Sequence, residues 1–138
     1  MTPALLVLDT NIVLDLLVFQ DDATEGLRCA LESGTQQWLT TTPMRNELLR
    51  VLAYPKIVPR LAYYQRSAAE VLTQFDRLAR LREAAPLAGL RCADPDDQKF
   101  IDLAVACQAV LLSKDRAVLT MAKRLQRVGV RVQSRLGP

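Results

Sequence analysis

Asp9, Glu47, Asp97 and Asp115 are the side chains of this sequence whose type and position suit chemistry. Asp9 closes the apolar run Leu5-Leu6-Val7-Leu8 and precedes Thr10-Asn11. Such a run reads as a buried parallel strand, and an acid at its C-terminal end faces the crevice where open α/β sheets bind ligands. Glu47 falls in the second turn of a helix opened by Thr42-Pro43, a hydroxyl cap with proline at the first helical position. Asp97 ends Asp94-Pro95-Asp96-Asp97, another helix start, in which Asp94 caps and the later acids lie in the positive first turn. Asp115 follows the apolar run Val110-Leu111-Leu112 and the turn Ser113-Lys114, which places it on the same sheet edge as Asp9.

Each acid also has a plain structural reading. Asp9 and Asp115 suit helix caps, Glu47 suits any exposed helix, and Asp97 suits a helix dipole, worth about 0.3–1 kcal/mol. Three acids in four residues exceed what a helix start needs, so Asp97 reads as a ligand and Asp94 mainly as a cap. The chain has no histidine, which excludes an imidazole base. Several carboxylates on one rim repel one another unless a cation compensates. Oxygen-only ligands favour Mg²⁺ or Mn²⁺ over zinc. Such an ion activates water and clamps a phosphate oxygen, and a second one about 3.5–4 Å away would stabilise a leaving oxygen.

The elements that must position these acids alternate. A strand over about 4–9 precedes a helix over about 12–19. Asp21-Asp22 suits the cap of a second helix, which carries Leu27, Ala30 and Leu31 on one face and ends at Ser33-Gly34. A short strand follows at 37–40, then the helix of Glu47, stopped by Tyr54-Pro55. From Pro59 to about Arg82 the apolar spacing of Leu61, Tyr64, Ala68, Val71, Leu72, Phe75 and Leu78 predicts one long helix. Residues 90–93 suit a third strand. The helix after Asp97 buries Phe100, Ile101, Ala104 and Val105. Then come the strand at 110–112, a helix over 117–127, a break at Gly129 and a last strand at 130–132. Strands alternating with helices imply a parallel sheet with right-handed crossovers.

The 138 residues suit a single domain over 1–138, and 50% hydrophobic residues suffice for a core. A net charge of +3 with pI near 9.0 permits a polyanionic partner without demanding one. Lys123, Arg124, Arg127, Arg131 and Arg135 form one basic cluster and Arg77, Arg80 and Arg82 another; solvated faces explain both equally well. With seven Phe, Tyr and Trp residues (three, three and one), stacking platforms are not the main route to nucleic acid. Cys29, Cys92 and Cys107 are widely spaced and read as small buried hydrophobes in a reduced compartment. Met1-Thr2-Pro3 lacks the basic start of a secretory leader, and the longest apolar stretch is too short to span a bilayer, so a cytoplasmic location is expected.

Taken in order, Leu6-Val7-Leu8-Asp9-Thr10-Asn11, Thr42-Pro43 with Glu47-Leu48, Asp94-Pro95-Asp96-Asp97 with Phe100, Leu103 and Ala104, and Leu111-Leu112-Ser113-Lys114-Asp115 give the chain a resemblance. It resembles the PIN-domain family of metal-dependent ribonucleases, along essentially its whole length. The Asp-Pro-Asp-Asp form is similar to the VapC-like branch, described as toxin components of toxin–antitoxin pairs. The resemblance implies a three-layer α/β/α sandwich around a short, mostly parallel sheet of about five strands. It implies Mg²⁺ or Mn²⁺ held by Asp9, Glu47, Asp97 and Asp115, with Asn11 and Ser113 at supporting polar positions, and cleavage of RNA. A homodimer and a cognate antitoxin protein are the implied partners. Asp102, about 140° round the helix from Asp97, is expected off the metal and against an arginine.

Two other classes compete. A phosphate hydrolase of the haloacid-dehalogenase kind needs a second aspartate where Asn11 stands, and a phospho-acceptor receiver domain needs an acid pair the run around Asp9 lacks. A non-catalytic module binding RNA or an antitoxin would use the acidic rim to accept arginine.

Overall fold

The computed structural model describes residues 3–136. Met1 and Thr2, part of the start read above for a leader, lie outside the described residues. Strand β1 (Ala4–Leu8) leads into helix α1 (Thr10–Leu17), and after a 3-10 turn α2 (Glu25–Ser33) leads to β2 (Gln36–Thr40). Helices α3 (Thr42–Val51), α4 (Val58–Tyr63) and α5 (Ala68–Leu78) then deliver β3 (Ala79–Leu81). A second 3-10 turn, Pro95–Asp97, opens α6 (Gln98–Cys107), followed by β4 (Val110–Leu112), α7 (Arg116–Leu119), α8 (Ala122–Arg127) and β5 (Val132–Gln133).

All four strand pairings are parallel and the order is β3-β2-β1-β4-β5. Successive side chains of a strand point to opposite faces. Leu6 and Leu8 accordingly enter one core with Ile12, Leu16, Leu27, Trp38 and Phe75, while Val7 enters the other with Leu39, Phe100, Leu103, Leu111 and Met121. Both faces of the sheet are thus covered by helices, which makes the fold a three-layer α/β/α sandwich. Trp38 and Phe75 meet edge to face at 4.9 Å in the first core, a geometry worth about 0.5–1.5 kcal/mol beyond burial.

From β1 the chain winds outward to β2 and β3, then returns to place β4 on the other side of β1. The order therefore reverses between β1 and β4, and the crevice at such a switch point is where doubly wound sheets hold ligands. Leu8 pairs with Leu112 there, and the Asp9 N–H bonds the Leu112 carbonyl at 3.0 Å.

Several expected elements differ. The long helix over 59–82 is two helices and a strand. Gln65 adopts a left-handed φ of 55°, and Ser67 and Glu70 form a capping box that starts α5 anew. The third strand is Ala79–Leu81, not 90–93, because Cys92 gives its N–H to the Gln98 side chain at 2.7 Å instead of to a strand. The cap of α3 is Thr41, with no side-chain bond, so Thr42 is already helical. Asp21 caps the 3-10 turn before α2, the helix expected over 117–127 is split at Thr120–Met121, and the last strand is displaced to Val132–Gln133. Cys92 is buried and Cys107 half-buried, but Cys29 is exposed; all three are free thiols.

Candidate metal centre

Asp9 leaves β1 with an extended backbone and caps α1, its Oδ1 accepting the Asn11 N–H at 2.8 Å. Only 3% of the residue is exposed. Its Oδ2 accepts the hydroxyl of Ser113, which is fully buried. That same Oγ accepts the Asp115 N–H at 3.0 Å, so one serine couples the ends of β1 and β4. Asn11 is exposed, and what it offers Asp9 is its backbone N–H rather than its amide. Asp115 caps α7 through Ala117 N–H at 2.8 Å, and Asp94 caps the turn before α6 through Asp96 N–H at 2.9 Å.

Those caps leave oxygens to spare. One carboxylate oxygen from each of Asp94, Asp97 and Asp115 lies within 4.8 Å of the others. Two like charges about 4 Å apart repel by about 4 kcal/mol at an effective dielectric near 20. A net hydrogen bond returns about 1 kcal/mol, so the trio requires a proton or a cation. Asp97 carries the conflict. Its Oδ2 is buried without a partner, and burial, then the charges of Asp115, Asp9 and Asp94, push its carboxyl up to about 7. Asp9 is also raised: desolvation outweighs the Ser113 and backbone donors that oppose it.

The four predicted acids are not brought together equally. Asp97 and Asp115 converge with Asp94, placing the residue read mainly as a cap inside the cluster. Asp9 lies beside them through Ser113 and through its charge. Glu47 stands apart: Oε1 is held by Lys99 Nζ at 2.7 Å and Oε2 by the Thr10 hydroxyl. Lys99 also donates to the Asp96 carbonyl and lies 5.0 Å over the Phe100 ring. Sequence reasoning missed Lys99 and Thr10. Lys99 had a signal, since a cation in the first turn of a helix opposes the macrodipole and calls for a partner.

Asp102 lies outside the trio of acids, and among the described residues it bonds no arginine. Its Oδ1 accepts from Ala88 N–H and Gln98 Nε2, both at 2.9 Å. Gln98 in turn bonds the Leu90 carbonyl and the Cys92 N–H. The pair therefore pins the strandless stretch 82–94 onto α6.

Oxygen donors alone, one of them buried and unpartnered, fit a hard divalent cation. A doubly wound parallel sheet with a carboxylate cluster at its switch point is the architecture of an acid-centred α/β protein. The match to the PIN-domain model runs over residues 5–117, and the chain belongs to that family. A solved structure of VapBC2 from Rickettsia felis, bound to a DNA fragment from their promoter, shares the fold with a TM-score of 0.62. That match is 14% identical and covers 93% of this chain and 98% of the other. No curated protein matches the sequence.

Proposed function

We propose that this PIN-domain protein is a Mg²⁺- or Mn²⁺-dependent endoribonuclease and the toxin of a toxin–antitoxin pair. The observation that carries the reading is the convergence of Asp94, Asp97 and Asp115 around a buried oxygen that lacks a partner. These three would hold the cation, with Asp9 beside them, and Glu47 would join once released by Lys99. Bound there, the ion supplies Lewis acidity and a water of lowered pKa. Asp9, locked by Ser113 and the Asn11 N–H, presents a fixed carboxylate, and Glu47 orients the attacking water. The Lys99 ammonium, freed from Glu47, meets the charge of the phosphodiester.

Several further features support the wider reading. The likeness to VapBC2 agrees with the VapC-like motif and supports an antitoxin partner. Tyr54, Val58 and Tyr63, which are 51%, 50% and 80% exposed, support a homodimer through the α4 region. No helix among the described residues is long and apolar enough to cross a membrane, which is compatible with action in the cytoplasm.

The deciding test is cleavage of a mixed RNA panel with Mn²⁺, with EDTA and by Asp9→Asn, alongside calorimetric Mn²⁺ binding. Cutting that requires both metal and Asp9 is expected; cutting retained in EDTA or in Asp9→Asn overturns the mechanism. A second reading draws on the Lys99–Glu47 pair, which shows the rim accepting a cationic side chain. Folded protein that neither cuts nor binds Mn²⁺ would be such a partner-binding module.

A further inference from the structure

A pocket of about 550 Å³ lies between the first turns of α6 and residues 87–92. That volume is ordinary for a small-ligand site, roughly 300–1,000 Å³. Leu87, Leu90 and Pro95 give it apolar walls, and Arg91, Lys99 and Asp102 give it charge. It abuts the metal centre: the Cys92 thiol, which also lines it, is pushed up first by burial and then by the charges of Asp97, Asp94 and Asp115.

Asp102 is the informative wall. The residue is 5% exposed, and its Oδ1 is fully engaged by Ala88 and Gln98. Its Oδ2 has no hydrogen-bond partner among the described residues, yet it is not sealed in protein as Asp97 Oδ2 is. An acceptor at that depth calls for an N–H or O–H donor from whatever fills the pocket. Lys99 is committed to Glu47 and the Asp96 carbonyl. The complementary ligand is a flat apolar plate with an N–H donor on its edge, joined to an anion.

We propose that the pocket takes the base of an RNA nucleotide next to the cleaved phosphate, and that Asp102 Oδ2 accepts a hydrogen bond from the exocyclic amino group of that base. This rests on the ribonuclease reading and adds its substrate preference. Leu87, Leu90 and Pro95 flank the ring, while Arg91, joined by Lys99 once it is released from Glu47, faces the backbone phosphate. Cytosine, adenine and guanine each carry an amino group; uracil offers only its N3–H, set between two carbonyl oxygens that a carboxylate repels. Uracil is therefore the disfavoured base, because a carboxylate brought to its one donor also meets the carbonyl oxygens on either side.

Fluorescence anisotropy of labelled C, A and U hexamers with the full-length protein in EDTA tests this without cleavage. The wild type is expected to prefer the C and A hexamers over U by about tenfold, the discrimination of one good base contact. Asp102→Asn keeps an oxygen toward Ala88 and Gln98 but turns Oδ2 into a donor, so the preference should shift toward U. Leu87→Ser, at a position 81% exposed and thus outside the core, should weaken all three. Equal binding by the wild type overturns the proposal. So does unchanged discrimination in Asp102→Asn that melts like the wild type; if that variant does not fold, unchanged affinity in Leu87→Ser does so. An arginine-bearing peptide that binds where no hexamer does would assign the pocket to a protein instead. Base preference without metal-dependent cutting in the RNA panel would remove the nuclease reading and leave the pocket; cutting without base preference would do the reverse.

Discussion

Asp97 holds a proton at pH values where an ordinary aspartate has lost it. Its carboxyl lies at about 7 in the folded protein against 3.8 for an unperturbed aspartate. Between those values the folded state binds more protons than the unfolded chain, so stability falls as pH rises through that window and levels off above it. In EDTA, the melting temperature should decline from about pH 4 to pH 7, with Asp9, also raised, contributing in the same direction. Asp97→Asn should flatten that decline and melt above the parent at pH 8. Circular dichroism melts across pH check both, and a parental slope in Asp97→Asn would contradict the assignment. Ser113→Ala acts differently. It strips a donor from buried Asp9 and an acceptor from the Asp115 N–H, and should cost about 1–3 kcal/mol in urea unfolding. At this scale the sequence was informative wherever an acid ended an apolar run: Asp9 and Asp115 both occupy the sheet edge expected of them. It named Glu47 but not what holds it, because Lys99 and Thr10 come from other elements.

Elements were legible where periodicity and punctuation agreed. Asp94-Pro95 starts α6, and the apolar runs of β1 and β4 form neighbouring strands. The segment 59–82 misled because α4 and α5 feed the same core, so Leu61, Val71 and Phe75 keep helical spacing across a break. Ser67-x-x-Glu70 marked that break in plain sight, whereas the left-handed Gln65 had no local signal, since glycine or asparagine is the usual choice there. Strand β3 pairs through its backbone while Leu81 is 63% exposed, and hydrophobic patterning does not report such a strand. Ser67→Ala removes the cap and should cost about 1 kcal/mol while Mn²⁺ binding stays at the parental value, which thermal melts and calorimetry distinguish. A cost shared with metal binding would mean that α5 supports the centre.

Across the whole molecule, the acids form a local negative concentration within a chain of net charge +3. Divalent cations should therefore stabilise the protein strongly, by about 2.7 kcal/mol at a hundredfold excess over the dissociation constant. The melting temperature should rise with Mn²⁺, return with EDTA, and stay unmoved in Asp97→Asn. RNA binding should weaken with salt in proportion to the phosphates met by basic side chains. Arg77 contributes little to that count, because it forks onto Glu32 at 3.0 and 2.7 Å; its basic cluster is thereby reduced to Arg80 on the edge strand and Arg82 just after it.

The Ser113–Asp9 bond joins residues 104 positions apart. When a ribosome has made the first hundred residues, Asp9, Glu47, Asp94 and Asp97 are already joined to the chain, yet Ser113 and Asp115 do not exist. Asp9 then has only its local partner, the Asn11 N–H, the strand that flanks β1 on its far side is missing, and the trio of acids lacks a member. On the proposed ribonuclease reading, the growing polypeptide should lack a complete site until residues 113–115 have emerged, and products terminated before them should leave RNA uncut.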